Sequence, residues 1–97
     1  VVEIMSGRAP LTGPLSVSLR FRISPPRSWS RPHRRRVLAG EAAYYGAFDV
    51  DNMVKAVLDP MNEVVFLDDR QIVRLWAEKI AAEQPGVDVR IEALAPQ

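Results

Sequence analysis

Hydrophobic and polar residues alternate without a break from Leu15 to Ile23. Leu15, Val17, Leu19, Phe21 and Ile23 share one face, and Ser16, Ser18, Arg20 and Arg22 share the other. A period of two predicts a half-buried strand, with its arginines either in solvent or aimed at a partner. Pro25-Pro26 closes the strand, because neither proline can donate to a ladder. Residues 24–48 then read as a basic loop with room for one helical turn, fraying over 39–46. Ahead of the strand, Val1 to Ser6 reads as the tail of an apolar element whose beginning precedes the chain, and Gly7 to Gly13 as a turn region.

From Asp51 to Met61 the period changes. Val54, Val57, Leu58 and Met61 recur at spacings of three and four, which predicts a helix with Asp51 as its N-cap and Pro60 ending or bending it. Asn62-Glu63 forms a turn into a short apolar strand, Val64 to Leu67, that runs into Asp68-Asp69. Gln71 to Glu83 fits two patterns, and its periodicity slightly favours a helix with Ile72, Leu75, Trp76, Lys79 and Ile80 near one side. After Gln84-Pro85-Gly86, Val87, Val89, Ile91 and Ala93 alternate with Asp88, Arg90 and Glu92, giving a last strand. Trp29 and Trp76 read as packing residues, Trp76 the more so because its neighbours are apolar.

Composition narrows the classes. Ninety-seven residues, 47% of them hydrophobic, suffice for one domain spanning 1–97 and exclude a second core. With no cysteine and one histidine, disulfides, thiolate zinc sites and imidazole clusters are excluded, so any metal must sit on oxygen ligands. No run approaches the roughly 18 apolar residues of a membrane span, and no secretory signal stands at the start, so the expectation is a cytoplasmic protein with no membrane partner. Small size also favours a homodimer, which adds buried surface to a limited core.

The net charge of +1 conceals an asymmetry. Ahead of Asp49 there are eight Arg against two Glu, a balance of +6; from Asp49 on there are five Lys or Arg against ten Asp or Glu, a balance of −5. Seven of the eight arginines fall between Arg20 and Arg36. Arginine rather than lysine suits bidentate contact with phosphate, and nucleic acid is the partner to consider first. Arg27, Arg31 and Arg34 to Arg36 are the candidate contacts, with His33 among them as a phosphate contact or a bystander.

Five aspartates, Asp49, Asp51, Asp59, Asp68 and Asp69, lie within twenty-one positions. Clustered like charges repel, and each is relieved by a lysine, a helix N-terminus or a divalent cation. Lys55 follows Asp51 by four, which on a helix sets both on one face. Magnesium takes one or two protein carboxylates and keeps its other positions for water and phosphate, which suits phosphodiester hydrolysis. An EF-hand is excluded, since Val54 stands where its glycine is needed and Pro60 where its glutamate is needed. Each acid also has a plainer reading: Asp51 as a helix cap, Asp49 as a loop carboxylate, Asp68 and Asp69 as turn residues, and Lys55 as half of an exposed pair with Asp51.

Two stretches resemble the RusA family of Holliday-junction resolvases. They are Asp49-Val50-Asp51-Asn52-Met53-Val54-Lys55-Ala56-Val57-Leu58-Asp59 and Val64-Val65-Phe66-Leu67-Asp68-Asp69-Arg70-Gln71-Ile72. Weaker similarity covers the strand from Leu15, the Ser-Trp-Ser loop of phage-encoded members, and the final strand. The resemblance implies an α+β fold, a small mixed sheet with flanking helices, in which Ile72 to Ala81 is a strand paired with Val87 to Leu94. It also implies that the family's first strand and most of its first helix precede this chain. In function it implies a magnesium-dependent homodimeric endonuclease, bacterial or phage-encoded, that nicks two opposed strands of a four-way DNA junction in recombination and repair, with Mn²⁺ as a substitute metal. Asp49, Asp51 and Asp69 match the catalytic, metal-binding aspartates and Lys55 the family's lysine. Asp68 is a further candidate ligand, and Asn52 and Asp59 match positions that orient neighbours. Phe48 departs from the basic pair often found before the first aspartate, and Pro60 from a small helical residue. A non-catalytic junction binder, in which the acids pair with the arginines, and a general nuclease of flaps or forks are the alternatives.

Overall fold

The computed structural model describes residues 9–43 and 49–94. The apolar segment Val1 to Ser6, the end of the basic loop over 44–48 and Phe48 lie outside these described residues. Strand β1 (Leu15–Ile23) is the one its alternation predicts: every odd position is buried, and Leu15, Val17 and Leu19 are wholly so. It is the middle strand of a three-stranded sheet of order β2-β1-β3, with β2 (Ile72–Ala81) parallel to it and β3 (Gly86–Ala93) antiparallel. Among the described residues two α-helices complete the α+β domain, α1 (Arg31–Leu38) and α2 (Val50–Met61). No helix among the described residues is long and apolar enough to cross a membrane.

The segment whose periodicity favours a helix is β2. Apolar residues stand on both faces of β2, Leu75 and Ala77 in register with Val17 and Leu19, and Trp76 and Ile80 with Ser18 and Arg22, and together they mimic a helical stripe. Its expected pairing with Val87 to Leu94 does not occur, because the connection crosses the end of β1 and delivers β3 to the other side. Ala82 donates its N–H to the Ile23 carbonyl at 3.0 Å, and Gly86 stands opposite Arg22. Trp76, expected to pack, is half exposed on the outer side of β2. Trp29 does pack, against Ile23 and Val37.

The basic loop contains a two-turn helix rather than a single turn. Ser30 caps α1, its Oγ accepting from the His33 N–H at 3.3 Å, and Pro32 lies in the first turn, where its missing N–H is no loss. Gly40, at φ 78, follows the C-cap residue Ala39. In α2 the cap is Asp49, ahead of the expected Asp51, which lies inside the first turn. The expected strand Val64 to Leu67 is a turn with isolated bridges. The Met61 carbonyl takes the N–H groups of both Val64 and Val65, and Glu63, at φ 69, donates to Phe66, so local bonds consume what a ladder would need.

The core lies between β1 and α2. Val54 packs with Val17, Leu19 and Phe21, Met61 packs with Leu15, Val65 and Phe66, and Met53 reaches Ile23 and Val37. Helix α2 therefore runs antiparallel to β1, its N-terminus at the Ile23 end and its C-terminus at the Leu15 end. Gln71 fastens that second end. Its Oε1 accepts from the Asp68 N–H at 2.9 Å, closing a capping box on the 3-10 helix Asp69–Gln71, and its Nε2 donates to the carbonyls of Leu11 and Gly13, each at 3.0 Å.

Two losses of stability follow, each measurable by denaturant unfolding. Phe66→Ala, at a wholly buried site, is expected to cost about 3–5 kcal/mol. Gln71→Ala, which strands a donor and two carbonyls, is expected to cost about 1–3 kcal/mol.

Candidate nucleic-acid and metal-binding site

At the Ile23 end of the sheet stands the basic helix α1. It has no acid in its first turn, and it carries Arg31, Arg34, Arg35 and Arg36, with Arg27 just ahead. None of these five arginines forms an ion pair among the described residues. Arg31, Arg34 and Arg35, at spacings of three and four, line one open groove of about 490 Å³ with Leu38, Ala39 and Glu83. The Arg34 Nε is buried with no hydrogen-bond partner. The signal for this helix lay in the sequence as Ser30-Arg31-Pro32, a cap followed by a first-turn proline.

The start of α2 shares this end, since Met53 packs in one cluster with Val37 of α1. Asp49, Asp51, Asn52 and Lys55 are all exposed there. Asp49 makes no side-chain cap bond and instead accepts from Asn52 Nδ2 at 3.5 Å. Asp51 and Lys55 form no ion pair among the described residues. Both carboxylates stand at the positive end of the helix dipole.

Asp68 and Asp69 occupy the opposite end. Asp68 is held by Arg70: its Oδ1 accepts from the Arg70 N–H at 2.8 Å and from Nε at 3.2 Å, and its Oδ2 from Nη2 at 3.1 Å. Those bonds lower its pKa from 3.8 to about 2. The carboxylate's contribution is whole above 3.8 and is lost as the pH falls through about 2. Asp69 is exposed beside it.

The two acidic pairs are separated by the length of α2. From Asp51 to Met61 the helix advances about 15 Å, and Asp69 lies just before Ile72, which faces Leu15 at the far end of β1. Asp59 belongs to the C-terminal half of α2, away from Asp49 and Asp51. Among the described residues no three His, Asp or Glu groups stand together. A hard cation needs carboxylate oxygens within about 2.6 Å, so Asp49 and Asp51 do not share an ion with Asp69 of the same chain.

On the basic side, part of the charge asymmetry is cancelled within the fold. Arg20 Nε meets Glu78 Oε1 at 2.8 Å, and Arg22 Nε meets Asp88 Oδ2 at 3.3 Å. These arginines of β1 bind the sheet, whereas those of α1 and Arg27 form no ion pair among the described residues.

Comparison with known proteins places this geometry. An uncharacterized protein of Bacillus subtilis (strain 168), YqaN, is 32% identical over 87 residues, covering 88% of this chain; the chain spans 61% of that relative's length. No solved structure matches. The family model for the endodeoxyribonuclease RusA matches residues 2–92, and with nearly the whole chain covered, this protein belongs to the RusA endodeoxyribonuclease family.

Proposed function

We propose that the chain is a Mg²⁺-dependent endodeoxyribonuclease that resolves Holliday junctions as a homodimer, nicking two opposed strands symmetrically during DNA recombination and repair. The observation that carries this reading is the meeting of an arginine helix with an exposed carboxylate pair at one end of the sheet, in a chain of the RusA family. Arg27, Arg31, Arg34, Arg35 and Arg36 present guanidinium forks to backbone phosphates. Lys55, one turn beyond Asp51, is placed to stabilise charge on the phosphate oxygens.

Asp49, Asp51 and Asp69 are the proposed metal ligands, with Asp68 beside them; the hold of Arg70 on Asp68 favours Asp69 at that end. Because α2 sets the pairs apart, the complete set is drawn from two chains, Asp49 and Asp51 from one and Asp69 from the other. A bound Mg²⁺, or Mn²⁺ in its place, supplies an activated water and polarises the scissile phosphate. Asn52 positions Asp49 through its amide. Asp59 belongs to the reading as a residue that orients neighbours in its own half of α2.

A second reading, a non-catalytic junction binder, is favoured by Arg20–Glu78 and Arg22–Asp88, which join the basic and acidic halves without a metal. Cleavage of an end-labelled four-way junction separates the two: paired, symmetry-related nicks that require Mg²⁺ support the resolvase, and tight binding with no nick supports the binder. In the resolvase, Asp51→Asn is expected to abolish nicking and leave junction affinity nearly unchanged, whereas Asn52→Ala lowers the rate about 10–100-fold. Neutralising Arg34, Arg35 and Arg36 together is expected to weaken binding and to flatten its salt dependence, by about one unit of slope for each phosphate no longer neutralised. An unchanged slope removes α1 from the interface.

A further inference from the structure

The side chain of Arg70 is not needed to build the turn that carries it. The 3-10 turn Asp69–Gln71 is closed by the Gln71 amide and by Asp68, whose Oδ1 accepts from the Arg70 backbone N–H at 2.8 Å. Arg20 and Arg22 reach across from β1 to the neighbouring strands. Among the described residues the Arg70 side chain bonds to Asp68 alone, two positions away, and it is 88% exposed. An exposed pair of this kind adds little to stability.

What the pair fixes is direction. Asp68 takes the guanidinium side-on, Oδ1 accepting from Nε at 3.2 Å and Oδ2 from Nη2 at 3.1 Å. A guanidinium carries five N–H donors in one plane, and this contact uses two, so both hydrogens of Nη1 and one of Nη2 remain along the end of the fork. That end matches two oxygens of a phosphate. The charge is also secure: the bonds to Asp68, with the neighbouring Asp69 carboxylate adding to them, raise the Arg70 pKa above its ordinary value. Arg70 follows Asp69 directly, so a phosphate at the Asp69 end meets this guanidinium.

We propose that Arg70 grips a backbone phosphate of the DNA at the Asp69 end, and that Asp68 is the positioning residue of that fork rather than a metal ligand. This rests on the nuclease reading above and adds a basic contact at the end of the molecule opposite α1.

Arg70→Ala keeps the backbone N–H that closes the turn, and its denaturant unfolding is expected to match the wild type. Junction binding in EDTA is expected to lose about one unit of salt slope for each Arg70–phosphate contact removed. With Mg²⁺, Arg70→Ala is expected to nick about a hundredfold more slowly. Arg70→Lys is expected to restore the slope but not the rate, since a point charge lacks the fork; full recovery of the rate overturns the role of the fork. Asp68→Asn keeps an oxygen for the Arg70 N–H and loses the charge that aligns the side chain. It is expected to slow nicking when made alone, to add nothing to Arg70→Ala, and to leave the half-saturating Mg²⁺ concentration unchanged. A salt slope that Arg70→Ala does not alter overturns the phosphate contact, and a raised Mg²⁺ requirement in Asp68→Asn returns that carboxylate to the metal. The slope is read without metal, so it decides the contact even in a wild-type chain that binds junctions and never nicks, a result that overturns the nuclease reading instead.

Discussion

The burial of one face of β1 under α2 fixes the rest of this molecule. Leu15, Val17, Leu19 and Phe21 are almost wholly removed from water, and burying each such side chain is worth about 1.5–3 kcal/mol. The stripe from Val54 to Met61 covers that face in one direction only, Met53 toward Ile23 and Met61 toward Leu15. Apolar packing thereby determines the placement of charge. Asp49 and Asp51 are carried to the end where α1 presents its arginines, and Asp68 and Asp69 to the end that Gln71 ties to Leu11 and Gly13.

This placement reconciles family membership with the separation of the acids. Four carboxylates within one small site would repel strongly without a cation. One chain avoids that cost by holding two pairs apart: one pair faces the positive end of a helix, and Arg70 holds Asp68 in the other. In the proposed dimer each chain would carry two half-sites, and two chains would carry two whole ones. Two equivalent centres related by a twofold axis are also what symmetric cutting of opposed strands requires.

Much of this was legible in the sequence wherever one physical rule acted alone. The alternation of Leu15 to Ile23 reported a strand buried on one face, and the same pattern reported β3. The Val54 to Met61 stripe reported α2 to within a residue. Legibility failed where tertiary context overrode a local pattern. β2 carries apolar residues on both faces, and its periodicity imitates a helix. Val64 to Leu67 has strand composition, yet its backbone groups are spent on Met61 and Glu63. α1 was hidden by its arginines, although Ser30 and Pro32 marked its start. The aspartates could be picked out along the chain, but their separation depends on the direction of α2, which no local pattern encodes.

The two-chain site is tested most directly by complementation. Asp51→Asn and Asp69→Asn chains, each inactive alone, are mixed, allowed to exchange subunits and assayed on a labelled four-way junction with Mg²⁺. If the site is shared, each mixed dimer holds one wholly wild-type centre and one doubly altered one, so nicking returns, on one strand per junction. If the site is built within a single chain, every centre in the mixture carries a substitution, and the mixture stays as inactive as its parts.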